Sequence, residues 1–312
     1  MRFVIVGPGA LGTIFGAALA RAGHEVSFLG RPSAVDGTGP RRHRQLRSLK
    51  GRVESVPVTI STDPSIVREA DALIILVKTF DTVAAMECIK PHVQPGLPVL
   101  TLQNGLGNAD VIRRILGDGP RVLPGVTSQA GTRASDGVVV HTGAGPTLIG
   151  YTSEEDVPVA RRLAALFSAA GLPAAVVPDI DREIWRKAAV NAAVNGLTAL
   201  GGFPNGAIVD HPDLLDAAET IAEEAAAVAR ARGFELGGMR ASLMETARAT
   251  ARNRSSMLQD IEAGRPTEVE AIHGAIQEAA ASAGVGTPAI DVIAALIRAR
   301  TRMARAEEPF IV

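Results

Sequence analysis

Cysteine occurs once in the 312 residues, at Cys88, so no disulfide can form within the chain. Cys88 lies in an apolar helical pattern and is expected to be a core filler rather than a nucleophile. No apolar run approaches the ~20 residues that span a bilayer. The six histidines are scattered, and there is no HExxH, CxxC, Walker loop or GxSxG elbow, which removes the metal and serine-hydrolase classes. Charge of either sign is not in excess: 32 Lys and Arg meet 33 Asp and Glu, a net −1. No overall field would therefore attract nucleic acid or an acidic membrane. One local basic cluster exists, Arg41, Arg42, Arg44, Arg47, Lys50 and Arg52. No aromatic residues are interleaved with it, which argues against nucleic acid. It is expected to be a solvated loop, with added attraction for a cofactor phosphate as the alternative. No internal repeat is visible. The opening residues read as a strand and not a signal peptide, so a soluble cytoplasmic protein is the default expectation.

Against these absences, the first twelve residues carry a strong signal. Arg2 to Val6 is a short β-branched run expected to be a buried parallel strand. Gly7-Pro8-Gly9-Ala10-Leu11-Gly12 follows, and Thr13 to Ala22 continues as a small-residue helix. This is GxGxxG in the context it requires, strand before and helix after. Gly7 permits the tight turn, Gly9 lets the backbone approach a pyrophosphate at the helix N-terminus, and Gly12 lets helix and strand pack closely. A dinucleotide cofactor is the expectation. The second strand, Glu25 to Leu29, runs into Gly30-Arg31, where NAD-preferring sites place an acid. A guanidinium there suits a 2′-phosphate, so NADP is favoured.

Strands are predicted at 56–60, 71–77, 98–102, 122–126, 138–141, 147–149 and 174–177, with helices at 82–90 and 157–170 and a Gly/Pro-rich loop at 33–40. Lys78-Thr79 and Gln103 to Asn108 fall at carboxyl ends of strands, where a parallel sheet presents ligand-facing residues. After Pro178 no strand pattern returns. Helices are expected at 181–200, 214–232, 239–252, 257–263, 267–283 and 288–305. The length also favours two domains. The predicted fold is α/β: a Rossmann-type doubly wound domain over 1–178 and an all-helical domain over 179–312.

The stretch Trp185 to Asn195 reads WRKAAVNAAVN. Lys187, Asn191 and Asn195 recur every four residues, and at ~100° per residue they share one helix face over ~12 Å. Asn is roughly 0.6 kcal/mol worse than Ala in a helix interior, and its amide cannot be buried unpaired. A solvated face would instead carry Glu, Lys and Arg. The stripe therefore reads as a polar strip facing a ligand. A lysine partly buried among Ala and Val has a lowered pKa and makes a competent general acid.

Together, GPGALG, LVKT at 76–79, LQNGLGN at 102–108, KAAVNAAVN at 187–195, PNG at 204–206 and SSMLQDIEAGRPTEVEAIHG at 255–274 resemble the 2-dehydropantoate 2-reductase (ketopantoate reductase) family over nearly the whole chain. The resemblance implies a helical domain like that of 6-phosphogluconate dehydrogenase, serving substrate binding and dimerisation, and reduction of ketopantoate to pantoate with NADPH in pantothenate and coenzyme A biosynthesis. It implies Lys187 as general acid. Asn104, Asn191, Asn195, Asn205 and Ser256 would hold the substrate. Gly7 to Gly12, Arg31, Lys78, Asn104, Ala130 and Glu268 would contact the cofactor. The partner implied is a small 2-oxo acid, with no nucleic acid and no membrane, and a homodimer is the assembly. Reduction of another 2-oxo acid on the same fold is the alternative. A non-catalytic NADPH sensor is a further one, though a sensor would not need the Lys187 and Asn191 constellation.

Overall fold

The computed structural model describes residues 1–31, 41–134 and 136–305. The loop predicted over 33–40 lies outside them. The chain divides into two compact units, 1–103 with 107–180, and 104–106 with the residues from 181 onward.

The first unit alternates strands and helices from its start. Its strands are β1 (Arg2–Val6), β2 (Glu25–Leu29), β3 (Arg41–Arg47), β4 (Val53–Ser61), β5 (Ala72–Ile75), β6 (Pro98–Thr101), β7 (Arg121–Thr127), β8 (Ala130–Arg133), β9 (Val139–Gly143), β10 (Thr147–Ile149) and β11 (Ala174–Val176). Its helices are α1 (Ala10–Arg21), α2 (Thr82–Ile89), α3 (Asn108–Leu116) and α4 (Val157–Ala169). The sheet order is β11-β10-β7-β6-β5-β1-β2-β4-β3-β9-β8. The central run from β4 through β2, β1, β5 and β6 to β7 is parallel. Period-two alternation places Phe3 and Ile5 of β1 in a core with α1 and α4, and Val4 and Val6 in a second core with α2 and α3. Helices thus cover both faces, the doubly wound arrangement. Gly16 lets α1 lie close on β2, because a Cβ there would stand 2.4 Å from the Phe28 ring.

Three expectations for this unit are corrected. Arg41–Arg47 is a strand and not a loop, paired antiparallel with β4 from Arg41↔Thr59 to Arg47↔Val53. The apolar alternation that signals a strand is missing here, and pairing with β4 decides the outcome instead. Lys50 lies in the turn that closes the hairpin and Arg52 just before β4, with Gly51 at φ +81°. Cys88 is exposed and fills no core. α2 buries Thr82, Met86 and Ile89, and Cys88 lies off that face. The predicted list also omits β8 and α3. α3 has a mixed, charged sequence, and β8 (AGTR) has no apolar pattern at all.

The second unit is helical: α5 (Ile180–Gly201), α6 (Ala207–Asp210), α7 (Pro212–Ala231), α8 (Met239–Ala249), α9 (Ser256–Glu262), α10 (Ala275–Ala283) and α11 (Pro288–Arg305). α5 and α7 supply much of its core through Ala189, Ala192, Ala193, Ala218, Ala222 and Ala225, whose small size lets helix axes approach. Glu224 of α7 accepts from the Ala289 and Ile290 N–H groups at 2.9 and 3.0 Å, capping α11 from a neighbouring helix. The predicted helix over 267–283 is interrupted by a π turn at Glu270–Gly274. Among the described residues, no helix is long and apolar enough to cross a membrane.

Candidate active site

In the first unit the glycine loop lies between β1 and α1. The chain leaves β1 toward β2 and returns on the other side at β5, so this end of β1 is a topological switch point. Gly7 has φ +112°, and a Cβ on it would fall 2.6 Å from Val77 N. The loop therefore abuts the segment that carries Lys78. A Cβ on Gly12 would fall 2.3 Å from Gly7 O, so Gly12 is needed for the turn to close on itself. Gly9 differs from both. Nothing lies within 4 Å of its would-be Cβ, and its φ of −77° suits any residue. No protein contact requires glycine there, and the open space is what a pyrophosphate cradle needs. No side chain caps the first turn of α1, so the N–H groups of Ala10, Leu11 and Gly12 have no side-chain acceptor at the cap. These residues fit a dinucleotide.

Lys78 is half-buried at the carboxyl end of β5. The turn that carries it is pinned by the first residue of the polar run after β6, which turns inward instead of facing a ligand. Gln103, buried after β6, donates through Nε2 to Val77 O at 2.9 Å and Thr82 Oγ1 at 2.7 Å, while its Oε1 accepts from Thr101 Oγ1 at 2.9 Å. Its place in the polar run after a strand was the available signal. Arg31 is exposed at the end of β2 and ion-paired to Asp81. Ala130 is half-buried at the start of β8.

The second unit holds the polar stripe. Lys187 and Asn191 are half-buried, and Asn195 is 8% exposed, so the stripe is not a solvated face. Burial disfavours the charged ammonium and pushes the Lys187 pKa down to about 8, while the Glu268 carboxylate holds it from falling further. Glu268 is itself buried, two residues before the π turn. That turn also holds the short segment around Asn104. Leu106 N donates to Ala271 O at 3.0 Å, and Gly105, at φ +87°, has no room for a Cβ beside the same carbonyl. Asn104 and Glu268 are thus brought to the same part of this unit by one turn.

On its other side α5 reaches the start of α9. Thr198 Oγ1 gives its hydrogen to Val194 O at 2.7 Å, so it accepts from Ser255 Oγ at 2.8 Å, and Ser255 caps α9 by accepting from Leu258 N. Ser256, one residue on, is exposed. Asn205 N donates to Asn253 O and Gly206 N to Ala251 O, clamping the Pro204-Asn205-Gly206 turn to the residues that lead into α9. Asn205 and Ser256 therefore lie in one neighbourhood. The Asn205 side chain is buried, and its Nδ2 donates to Thr250 Oγ1 at 2.9 Å. Sequence reasoning also missed His273. It is fully buried, with Nε2 3.0 Å from Ala192 O, between the two asparagines of the stripe. A Cβ on Gly196 would stand 3.0 Å from that nitrogen, so a glycine one residue past Asn195 makes room for the ring. Burial first, reinforced by the Arg298 charge and only partly offset by the bond to Ala192 and by Glu270, brings the His273 pKa down to about 4, so the ring is neutral.

A doubly wound sheet with a phosphate-ready turn at its switch point, joined to a helical unit bearing a half-buried lysine among asparagines, defines an oxidoreductase of Rossmann type. The chain belongs to the ketopantoate reductase family: the descriptions "Ketopantoate reductase PanE/ApbA" and "Ketopantoate reductase PanE/ApbA C terminal" match residues 3–154 and 179–301. It is 38% identical to the 2-dehydropantoate 2-reductase of Halobacterium salinarum, across 97% of this chain and 99% of the relative. The enzyme of the same name from Archaeoglobus fulgidus is 35% identical, across 88% and 89%. Among solved structures, a PanE/ApbA family ketopantoate reductase from Ralstonia eutropha superposes with a TM-score of 0.85 at 34% identity, covering 98% of this chain and all of that one. D-mandelate dehydrogenase, solved with NADH and anilino(oxo)acetate, superposes with a TM-score of 0.89 at 26% identity over 98% and 100%.

Proposed function

We propose that the protein reduces 2-dehydropantoate to pantoate with NADPH, in the supply of pantothenate and coenzyme A. Residues 1–178 serve as the cofactor domain, and 179–312, joined by Asn104, as the substrate domain. The observation that carries the reading is Lys187, half-buried beside Glu268 with its pKa near 8, on the same helix face as two asparagines. Full-length relatives of the same name support it.

The nicotinamide, when bound, supplies a hydride to the carbonyl carbon of the substrate. Gly7 to Gly12 hold the pyrophosphate against the first turn of α1. Arg31 pairs with the 2′-phosphate, and Lys78, Asn104, Ala130 and Glu268 make the remaining cofactor contacts. Reduction leaves negative charge on the carbonyl oxygen, which requires a positioned proton donor. Lys187 donates from Nζ, and a pKa near 8 keeps it charged at neutrality yet ready to give up the proton. Asn191, Asn195, Asn205 and Ser256 hold the substrate's hydroxyl and carboxylate.

The likeness to D-mandelate dehydrogenase favours one second reading, reduction of an aryl 2-oxo acid. Cofactor oxidation with ketopantoate, with the 2-oxo acid corresponding to mandelate and with simple 2-oxo acids separates them. Ketopantoate should have the highest kcat/KM, with NADPH well ahead of NADH and the gap narrowed in Arg31→Ala. A higher value for the aryl acid would replace the substrate assignment, and equal use of both cofactors would refute the NADPH preference.

A further inference from the structure

We propose that Thr250 is a positioning residue for substrate specificity: it locks the Asn205 amide so that its oxygen is left to accept a hydrogen bond from the substrate's terminal hydroxyl. The inference rests on the ketopantoate reading above. Thr250 Oγ1 donates its one hydrogen to Thr246 O at 2.7 Å, one turn back in α8. A carbonyl can only accept, so that hydroxyl has no proton for Asn205. The 2.9 Å contact between Asn205 and Thr250 must therefore be N–H to oxygen, with Nδ2 donating. The flipped amide would set two acceptors against each other. With Nδ2 fixed, Oδ1 points away from Thr250, and it is buried with no partner among the described residues. The backbone around it cannot relax, because Asn205 N and Gly206 N are bound to Asn253 O and Ala251 O, and Gly206 has only 3.0 Å of room for a Cβ against Ala251. An acceptor held without a partner costs stability until a donor arrives. Such an atom repels a carboxylate and suits a hydroxyl. Thr250 thus decides which end of the substrate Asn205 takes, without touching the substrate.

The test compares ketopantoate with 3,3-dimethyl-2-oxobutanoate, which keeps the methyls and lacks the hydroxyl, in the wild type, Thr250→Val, Thr250→Ala and Thr250→Ser. Wild-type kcat/KM should favour ketopantoate strongly, since a site that pairs a hydroxyl rejects the analogue lacking it. Thr250→Val and Thr250→Ala should cut that preference about tenfold, the scale of one hydrogen bond. Thr250→Ser, which keeps the relay, should retain it, and NADPH KM should not move. A common fall in both rates with the ratio unchanged would mark Thr250 as merely structural and overturn the inference alone. Equal reduction of the two acids by the wild type would overturn the ketopantoate reading and this inference together. If Thr250→Val fails to fold, Thr250→Ala carries the comparison.

Discussion

Three glycines in one hexapeptide are required for different reasons, and those reasons separate by experiment. Gly7 and Gly12 are held by the protein's own backbone, whereas Gly9 meets nothing within 4 Å. Gly9→Val should therefore leave the melting temperature of the free protein near the wild-type value. It should abolish the stabilisation that NADPH gives, about 2.7 kcal/mol at a hundred times Kd. Gly7→Ala should instead lower the melting temperature of the free protein. Thermal melts with and without NADPH check both, and a Gly9→Val protein still stabilised by NADPH would move the pyrophosphate elsewhere. Lys187 has the opposite character, a residue that costs stability where it stands. The unfolded chain holds its proton up to about 10.5 and the folded one only to about 8. Between those values the unfolded state binds more protons, so stability rises with pH across that window, and below about 8 the folded protein bears the full cost of the buried charge. Lys187→Met should raise the melting temperature at pH 7, by an amount that shrinks as pH climbs from about 8 toward 10.5. The same substitution should lower kcat by a factor on the order of 10²–10⁴, and wild-type kcat for reduction should fall as pH rises through about 8. Normal turnover in the variant would remove Lys187 from the chemistry.

At the scale of elements, two helices are held by groups that no local pattern announces. α11 begins at Pro288, and its cap comes from Glu224, more than sixty residues earlier in α7. Glu224→Ala leaves two N–H groups without that acceptor and should cost about 1–2 kcal/mol, a drop of a few degrees in melting temperature. kcat should be unchanged, because Glu224 lies outside the proposed machinery. α5 is held against the π turn by His273, a ring that folds neutral. The unfolded histidine protonates near 6.5 and the folded one near 4. Its contribution is therefore complete above 6.5 and is lost as pH falls through the interval to about 4. The charges facing it are Arg298 and Glu270, which are paired to each other through two bonds of 2.7 Å. His273→Gln keeps a donor for Ala192 O and has no proton to gain, so its melting temperature should change less between pH 7 and pH 5 than the wild type's. An equal change would assign the acid sensitivity to other groups.

At the scale of the whole molecule, the sequence determined what repeats or stands in a fixed local context. β-branched runs bounded by glycine gave the central parallel strands, and small-residue helical periodicity gave α1, α5, α7 and α11. The change of pattern after Pro178 announced an all-helical second half, and GxGxxG between a strand and a helix announced the cofactor turn. The four-residue spacing of Lys187, Asn191 and Asn195 puts them on one face of α5, because helix geometry alone fixes that relation. Tertiary structure decided the relations between residues distant in sequence. The arginine-rich Arg41–Arg47 became a strand because β4 offered it a ladder, and Cys88 turned outward because α2 buries a different face. Asn104 joined the helical unit because Ala271 O accepts from Leu106 N across 165 positions. The direction of the Asn205 amide was set by a threonine 45 positions away. Periodicity records which face a residue shares with its near neighbours. It carries no record of which distant carbonyl or hydroxyl will lie opposite, because that depends on how all the elements pack at once.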